Sequence, residues 1–324
     1  MAGIAPGSVK LFGEHAVVYD RIGVSASFDR HATVRVAPSE RHHIELTLPD
    51  FGFNRILSEE EVLGEHRMLK SIFEKGEMER LRVLRNENFT LPFSFILGEA
   101  FLKTGFRPLK IDARSTVPKR SGLGSSSAIF AALACELNAV LKLKLSAEGI
   151  AELANQGERV VHGRPSGIDA YTSALGGYLR FRKSEGPRRL EVGQRVPLVI
   201  VNTMVHKDTG EMIAHVMRMF EKDRARVGAI FDDMEEAALG GIDALAEGDM
   251  IKLGAEFQRT QACFERLGLN TRETDEIVRV ALKHAAYGAK ISGAGGGGAV
   301  IVLSKAPSQM AQLLGKLGYQ TLVA

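Results

Sequence analysis

"PKRSGLGSSSA", residues 118–128, decides how the chain folds and what it can hold. It follows the strand-like "LKIDARS" and opens "SSSAIFAALACELNAVLKL", a helix with apolar residues in most of its turns. Such a helix is expected to be deeply buried. Gly122 and Gly124 carry no Cβ, so the backbone can come close to a ligand. Ser121, Ser125, Ser126 and Ser127 place hydroxyls around the helix start, where free N–H groups and the positive end of the helix dipole also lie. That combination, with Leu123 between the glycines and Lys119 and Arg120 just before, makes a phosphate site on physical grounds. A serine hydroxyl there can also ligate Mg²⁺. The bland reading is a flexible turn with a serine cap, and three serines behind two cations weigh against it. No Gly-Lys-Ser/Thr occurs, so this is not a Walker loop.

A second glycine-rich stretch, "KISGAGGGGAVIVL", covers residues 290–303. By spelling, Gly293, Gly295 and Gly298 satisfy G-x-G-x-x-G. A dinucleotide fingerprint needs that turn to open a helix, with an acid about 20 residues on. Here a strand follows, and no Asp or Glu occurs after Glu276. A Rossmann reading is therefore rejected. Five glycines in six positions, Gly296 among them, suit a loop whose backbone packs on another loop or a ligand. The acid-free tail beside Lys290 suits a nearby anion.

The 324 residues are enough for two domains, and 45% hydrophobic with 25% charged residues is ordinary for a globular protein. A net charge of +3 is too weak to argue for nucleic acid, and no aromatic residues interleave with a basic run. The longest apolar stretch, "AIFAALAC", is far too short to span a bilayer. No signal peptide is legible, and Cys135 and Cys263 read as reduced core thiols, so the cytoplasm is expected. Neither CxxC, HExxH nor an EF-hand loop occurs.

The order of elements predicts an α+β fold. "SVKLFG", "AVVY", "GVSASF", "HATVRVAP" and "HIELTLP" read as strands. Residues 58–86 are helix-compatible, and another helix ends at Gly105. A helix is expected from Ser146 to about His162, then a turn and a strand over "PSGIDAYTSALGGYLRFRK". "SEGPRR" reads as a linker, which divides the chain into domains 1–187 and 188–324. Beyond it come the strand "VPLVIVNT", four helical segments, and a strand–turn–strand–helix–strand close.

Phosphoryl transfer also needs a carboxylate held near the phosphates. Asp169 follows Pro165 and Gly167 in a turn, although an Asp there also reads as an ordinary helix N-cap. Glu158 reads as a metal ligand or as one more solvated helix charge. His15 and His162, taken alone, are more often structural. No G-x-S-x-G spelling supports nucleophilic hydrolysis.

Taken together, "PGSVKLFGEHAVVY", "PKRSGLGSSSA" and "KISGAGGGG" resemble, in order, the three signature motifs of the GHMP kinase superfamily. "GERVVHGRPSGIDAYTSALGGYLRF" and "VNTMVHKDTGEMI" narrow the resemblance to its mevalonate-phosphorylating branch. The resemblance implies a two-domain fold, with an N-terminal ribosomal protein S5 domain 2-like domain and a C-terminal ferredoxin-like domain. It implies ATP and Mg²⁺ as cofactors and mevalonate as the small-molecule substrate. Homodimers are common in the family. Residue by residue, it matches Ser126 and Glu158 to the metal site, and Asp169 to the catalytic aspartate. Glu14 and His15 match the segment lining the acceptor pocket, and residues 293–298 match the loop bracing the phosphate region. Phosphomevalonate, a sugar or homoserine as acceptor, and a non-catalytic nucleotide-binding protein, are the competing readings.

One departure stands out. The family usually carries a lysine directly after Pro-Gly, where this chain has Ser8, and the lysine here is Lys10. Strand side chains repeat with period two, so Ser8 and Lys10 share a face. Lys10 then stands about 6.6 Å further along, at a rise of about 3.3 Å per residue. A lysine's length recovers much of that distance, and Lys10 is expected to replace the missing cation.

Overall fold

The computed structural model describes residues 2–118, 121–205 and 209–324. The chain opens with β1 (Gly3–Phe12), a 3-10 turn (Ala16–Tyr19), β2 (Gly23–Pro38), β3 (Ile44–Leu48) and, after a second short 3-10 turn, β4 (Phe53–Leu57). There follow α1 (Glu59–Lys75), α2 (Met78–Glu87), α3 (Leu91–Thr104), β5 (Leu109–Ser115), α4 (Ser125–Val140), α5 (Ala147–His162) and α6 (Ile168–Leu175). Next come β6 (Tyr178–Arg182), β7 (Gly186–Leu190), β8 (Leu198–Asn202), α7 (Thr209–Lys222), α8 (Arg224–Glu247), α9 (Met250–Arg266) and α10 (Arg272–Lys283). β9 (Ala286–Ser292), β10 (Ala299–Ser304), α11 (Pro307–Lys316) and β11 (Gln320–Val323) close it. Two compact units form, and the chain passes between them repeatedly. The first holds the residues up to Ser8, Asp29–Val117 and Gly124–Gly176; the second holds Val9–Phe28, Pro118–Leu123 and Gly177–Ala324.

In the first unit, β4 pairs antiparallel with β3, β3 parallel with β5, and β5 antiparallel with the second half of β2. α1 to α6 belong to the same unit. α4 is buried over most of its length, as its composition demands. One expectation fails there: Cys135 is exposed, and the neighbouring Glu136 is buried instead. The cause is rotational. Residues 127–134, 136 and 137 fill the packed sides of α4 and leave Cys135 on its open side. The carboxylate of Glu136 accepts from the Val36 N–H at 3.5 Å. The helical stretch 58–86 is broken at Gly76, whose φ of 69° caps α1. Ser58 and Glu61 form a capping box at its start.

In the second unit, β11, β8, β10 and β9 form an antiparallel sheet in that order. β8 and β10 are buried along nearly all their length, and α9 packs against β9. The first half of β2 pairs with β6, and β6 with β7. "AVVY" is a 3-10 turn and not a strand. Gly13 (φ 84°) turns the chain where any Cβ would lie 2.3 Å from the Ile22 carbonyl oxygen. Local bonds such as Val17 N–H to Gly13 O (2.8 Å) then satisfy the backbone. "SEGPRR" is likewise no linker. Ser184 donates through N–H and Oγ to Asp20, and β7 pairs back on β6 with Arg182 opposite Gly186. Part of the expected turn after Pro165 is helix α6, started by Gly167.

Candidate active site

The first unit holds Ser8, the start of α4, Glu158 and Asp169, and Ser8 brings Gly124 and Asp169 together. Gly124, with φ 66°, caps α4, and no side chain caps its free N–H groups. Ser125 and Ser126 are half-buried on the first turn, and Ser127 is buried with its Oγ unpartnered. A Cβ at Gly124 would sit 2.2 Å from Ser8 Oγ, so glycine is required there by space as well as by φ. Ser8 is fully buried, and its hydroxyl donates to Asp169 Oδ1 at 2.7 Å. Asp169 stands in the first turn of α6, behind Gly167 (φ 93°). The Ser8 hydroxyl thus touches both the cap of α4 and the carboxylate of α6.

Glu158 is buried in α5. Its Oε2 faces His162 Nε2 at 3.3 Å, one helical turn on, and its Oε1 is buried without a hydrogen-bond partner. A carboxylate oxygen left so is costly unless something binds it. Gly157 lets α5 close on α4: a Cβ there would lie 2.7 Å from Phe130, one turn beyond Ser126. A serine hydroxyl and a carboxylate oxygen are each ligands of the kind that Mg²⁺ takes. Among the described residues, no three His, Cys, Asp or Glu side chains converge into an all-protein metal site.

The second unit gathers Lys10, Glu14, His15, residues 121–123 and the glycine loop. Lys10 is half-buried, and Ser292 Oγ bonds both its backbone N–H and its C=O, each at 3.1 Å. Glu14 is buried. Its Oε1 is paired with Lys290, itself wholly buried, while Oε2 is buried without a partner. Burial pushes the Lys290 ammonium below its ordinary value, and the Glu14 carboxylate opposes that shift. His15 is buried beside them. Burial pushes its imidazole down to about 4, against the bond its Nε2–H donates to Ala294 O at 2.9 Å; Lys10 and His215 push it lower.

Ser121 is buried and donates from Oγ to Pro118 O at 2.8 Å; Leu123 is buried and Gly122 exposed. The glycine loop packs on this segment. Cβ atoms built at Gly293 and Gly298 would lie 3.8 Å from Gly122 O and 3.5 Å from Ser121 O. Gly293 and Gly295–Gly298 all have positive φ. Gly295 has no room for a Cβ, which would meet Leu269 at 2.8 Å, and Gly296 N–H bonds Leu269 O at 2.6 Å. Lys119 lies outside the described residues. Sequence reasoning saw Lys290 only as a cation near the glycines. The signal for more was its place between Ala289 and Ile291, in a strand otherwise built for burial.

Comparison with known proteins places these features in a family. Residues 94–177 match the model of the GHMP kinases N terminal domain, and residues 242–321 that of the GHMP kinases C terminal. The chain is 30% identical over 310 residues to the mevalonate kinase of Pyrococcus abyssi, covering 93% of this chain and 87% of the relative. It is 30% identical over 305 residues to that of Archaeoglobus fulgidus, covering 94% and 93%. The crystal structure of the Methanococcus jannaschii mevalonate kinase matches the fold with a TM-score of 0.81 at 22% identity, over 100% of this chain and 97% of that one. L. major mevalonate kinase in complex with R-mevalonate matches with 0.76 at 22% identity, over 98% and 91%. The chain has the two-domain GHMP kinase fold and belongs to the GHMP kinase family, with mevalonate kinases as relatives along nearly its whole length.

Proposed function

We propose that the protein transfers the γ-phosphoryl group of ATP to the 5-hydroxyl of mevalonate, giving mevalonate 5-phosphate and ADP. The observation that carries this reading is the 30% identity to a mevalonate kinase over 93% of the chain. The free N–H groups at the start of α4 suit the ATP phosphates. Ser126 and Glu158 are the residues that would hold Mg²⁺, which when bound neutralises charge on the phosphate oxygens. Asp169 orients the acceptor hydroxyl and takes its proton. Ser8, bonded to Asp169 Oδ1, holds that carboxylate in one rotamer. Lys10, the lysine nearest in sequence to the position where the family usually has one, supplies the positive charge that the transfer needs. Glu14 and His15 bind the acceptor, His15 as a neutral imidazole above pH about 4. The glycine loop braces residues 121–122. Two free thiols support a reducing, cytoplasmic setting, and among the described residues no helix is long and apolar enough to cross a membrane.

The test is ADP release with Mg-ATP across mevalonate, phosphomevalonate, galactose and homoserine. Release with mevalonate well above the others is expected. Release only with another acceptor overturns the substrate, and release with none overturns the enzyme.

A further inference from the structure

α2 is mostly polar, and the little that it buries faces one end of α5. Leu81 is its buried residue, in a cluster with Ile72, Phe95 and the wholly buried Val160 of α5. Met78 stands three residues before Leu81 and Arg85 four after it, on the same stripe of the helix. Both reach the end of α5. Met78 Sδ lies 3.4 Å from where a Gly163 Cβ would be, and the Arg85 guanidinium donates to Val161 O. Val161 O is one of the carbonyls that a helix leaves open in its last turn, where the helix dipole also favours a cation. On the α1 side, the Arg159 guanidinium carbon stands 4.5 Å from the centroid of the Phe73 ring. The turn beyond this end leads to Asp169, and its own hydrogen bonds are local. Gly163 N–H donates to Arg159 O at 2.8 Å, Arg164 N–H to His162 O at 2.9 Å, and Ile168 N–H to Ser166 Oγ at 3.4 Å. Bonds so close in sequence do not fix the turn against the rest of the unit.

We propose that Arg85 is a positioning residue: it closes the C-terminal end of α5 at Val161 O, and so fixes the turn 163–167 and the start of α6, where Asp169 stands. The consequence for turnover rests on the proposed function; the latch itself does not. Upstream, Gly157 seats α5 against Ile96 of α3 and Phe130 of α4, each 2.7 Å from where its Cβ would be. That contact anchors the adjacent Glu158. Arg85 acts about one helical turn further on. Its loss therefore releases the Asp169 side and leaves the Glu158 side in place. A bond from a charged donor to a backbone carbonyl has the strength for this task. Lysine keeps a charged donor at that position, whereas methionine is long enough to pack there and has no donor.

The experiment compares the wild type with Arg85→Met and Arg85→Lys, by amide hydrogen exchange and by steady-state kinetics. In Arg85→Met, exchange in peptides covering 163–171 should speed up at least about tenfold, the worth of a hydrogen bond to a charged group. Exchange in α4 should change by less than about twofold. With mevalonate, kcat should fall at least about tenfold while KM for ATP stays within about twofold. Arg85→Lys should bring exchange and kcat back to within about threefold of the wild type. Unchanged exchange over 163–171 in Arg85→Met overturns the proposal. So does an equal rise in α4, which would mean a general loss of stability. Wild-type kcat in a protein whose turn has opened overturns it too, as does a lysine variant as impaired as the methionine one. A wild type inactive on mevalonate would instead remove the functional reading, and the exchange result would still decide whether Arg85 holds the turn.

Discussion

Ser8 stands where the resemblance to the family leads one to expect a lysine, and its hydroxyl has a definite place in the structure. It is buried, it donates to Asp169, and it lies against Gly124. Ser8→Ala should fold and should lower kcat about 10- to 100-fold, the cost of losing a hydrogen bond that orients a charged group. KM for ATP should be nearly unchanged; steady-state kinetics at saturating ATP will show it. Asp169→Asn should remove turnover almost wholly while ATP binding, followed by calorimetry, persists. Lys10→Met should act on turnover in the same direction, and wild-type turnover in that variant would remove Lys10 from the mechanism. His15 gives a stability prediction. Its folded value, about 4, lies below the ordinary 6.5, so the unfolded chain binds the extra proton between them. That contribution is complete above pH 6.5 and is lost as pH falls towards 4, by about 3 kcal/mol in all. In His15→Gln, urea unfolding at several pH values in that window should show a slope shallower by up to about 1.4 kcal/mol per pH unit. Among single residues, the need for glycine at motif positions such as Gly124 was legible in the sequence. Lys290 was not, because its meaning lies in a partner 276 residues away.

Elements were legible where one periodicity ruled. α4 and the strands β8 and β10 carry their burial in their composition, and their counterparts in the sequence reading need no revision. The short pieces misled. "AVVY" has strand composition, yet the turn at Gly13 and the left-handed Asp20 (φ 61°) close it into a 3-10 turn. "SEGPRR" has linker composition, yet Glu185 pairs with Arg180, Arg182 and Arg188 and helps hold a hairpin. In both, contacts distant in sequence outweigh local preference. The approach of α5 to α4 offers a test at this scale. In Gly157→Ala the new Cβ would meet Ile96 and Phe130 at 2.7 Å. Overpacking costs about 1–3 kcal/mol, and alanine's helix preference returns up to about 1 kcal/mol. A net loss of about 1–2 kcal/mol is expected by urea unfolding. A gain in stability would mean that the two helices have room to spare.

A linear reading of the molecule can place a single cut, and near residue 187 composition invites one. The compact units are instead interleaved, because Val9–Phe28 belongs with the C-terminal part of the chain. Phe12 is wholly buried there, 5.4 Å from Phe257 between ring centroids and against Gly241, where a Cβ would lie 2.2 Å away. A fragment of residues 188–324 lacks Phe12, Glu14 and His15, and it exposes Lys290 without its carboxylate. It should show no cooperative thermal transition by circular dichroism. A sharp transition in that fragment would show that the N-terminal segment is dispensable for its core. The same interleaving sets a clock during synthesis. Glu14 leaves the ribosome early, and its partner is made 276 residues later. At about 5–20 residues per second that is a wait of about 15–55 s. For that time the Glu14 carboxylate exists without its counter-charge, and the pair forms only when the last strands arrive.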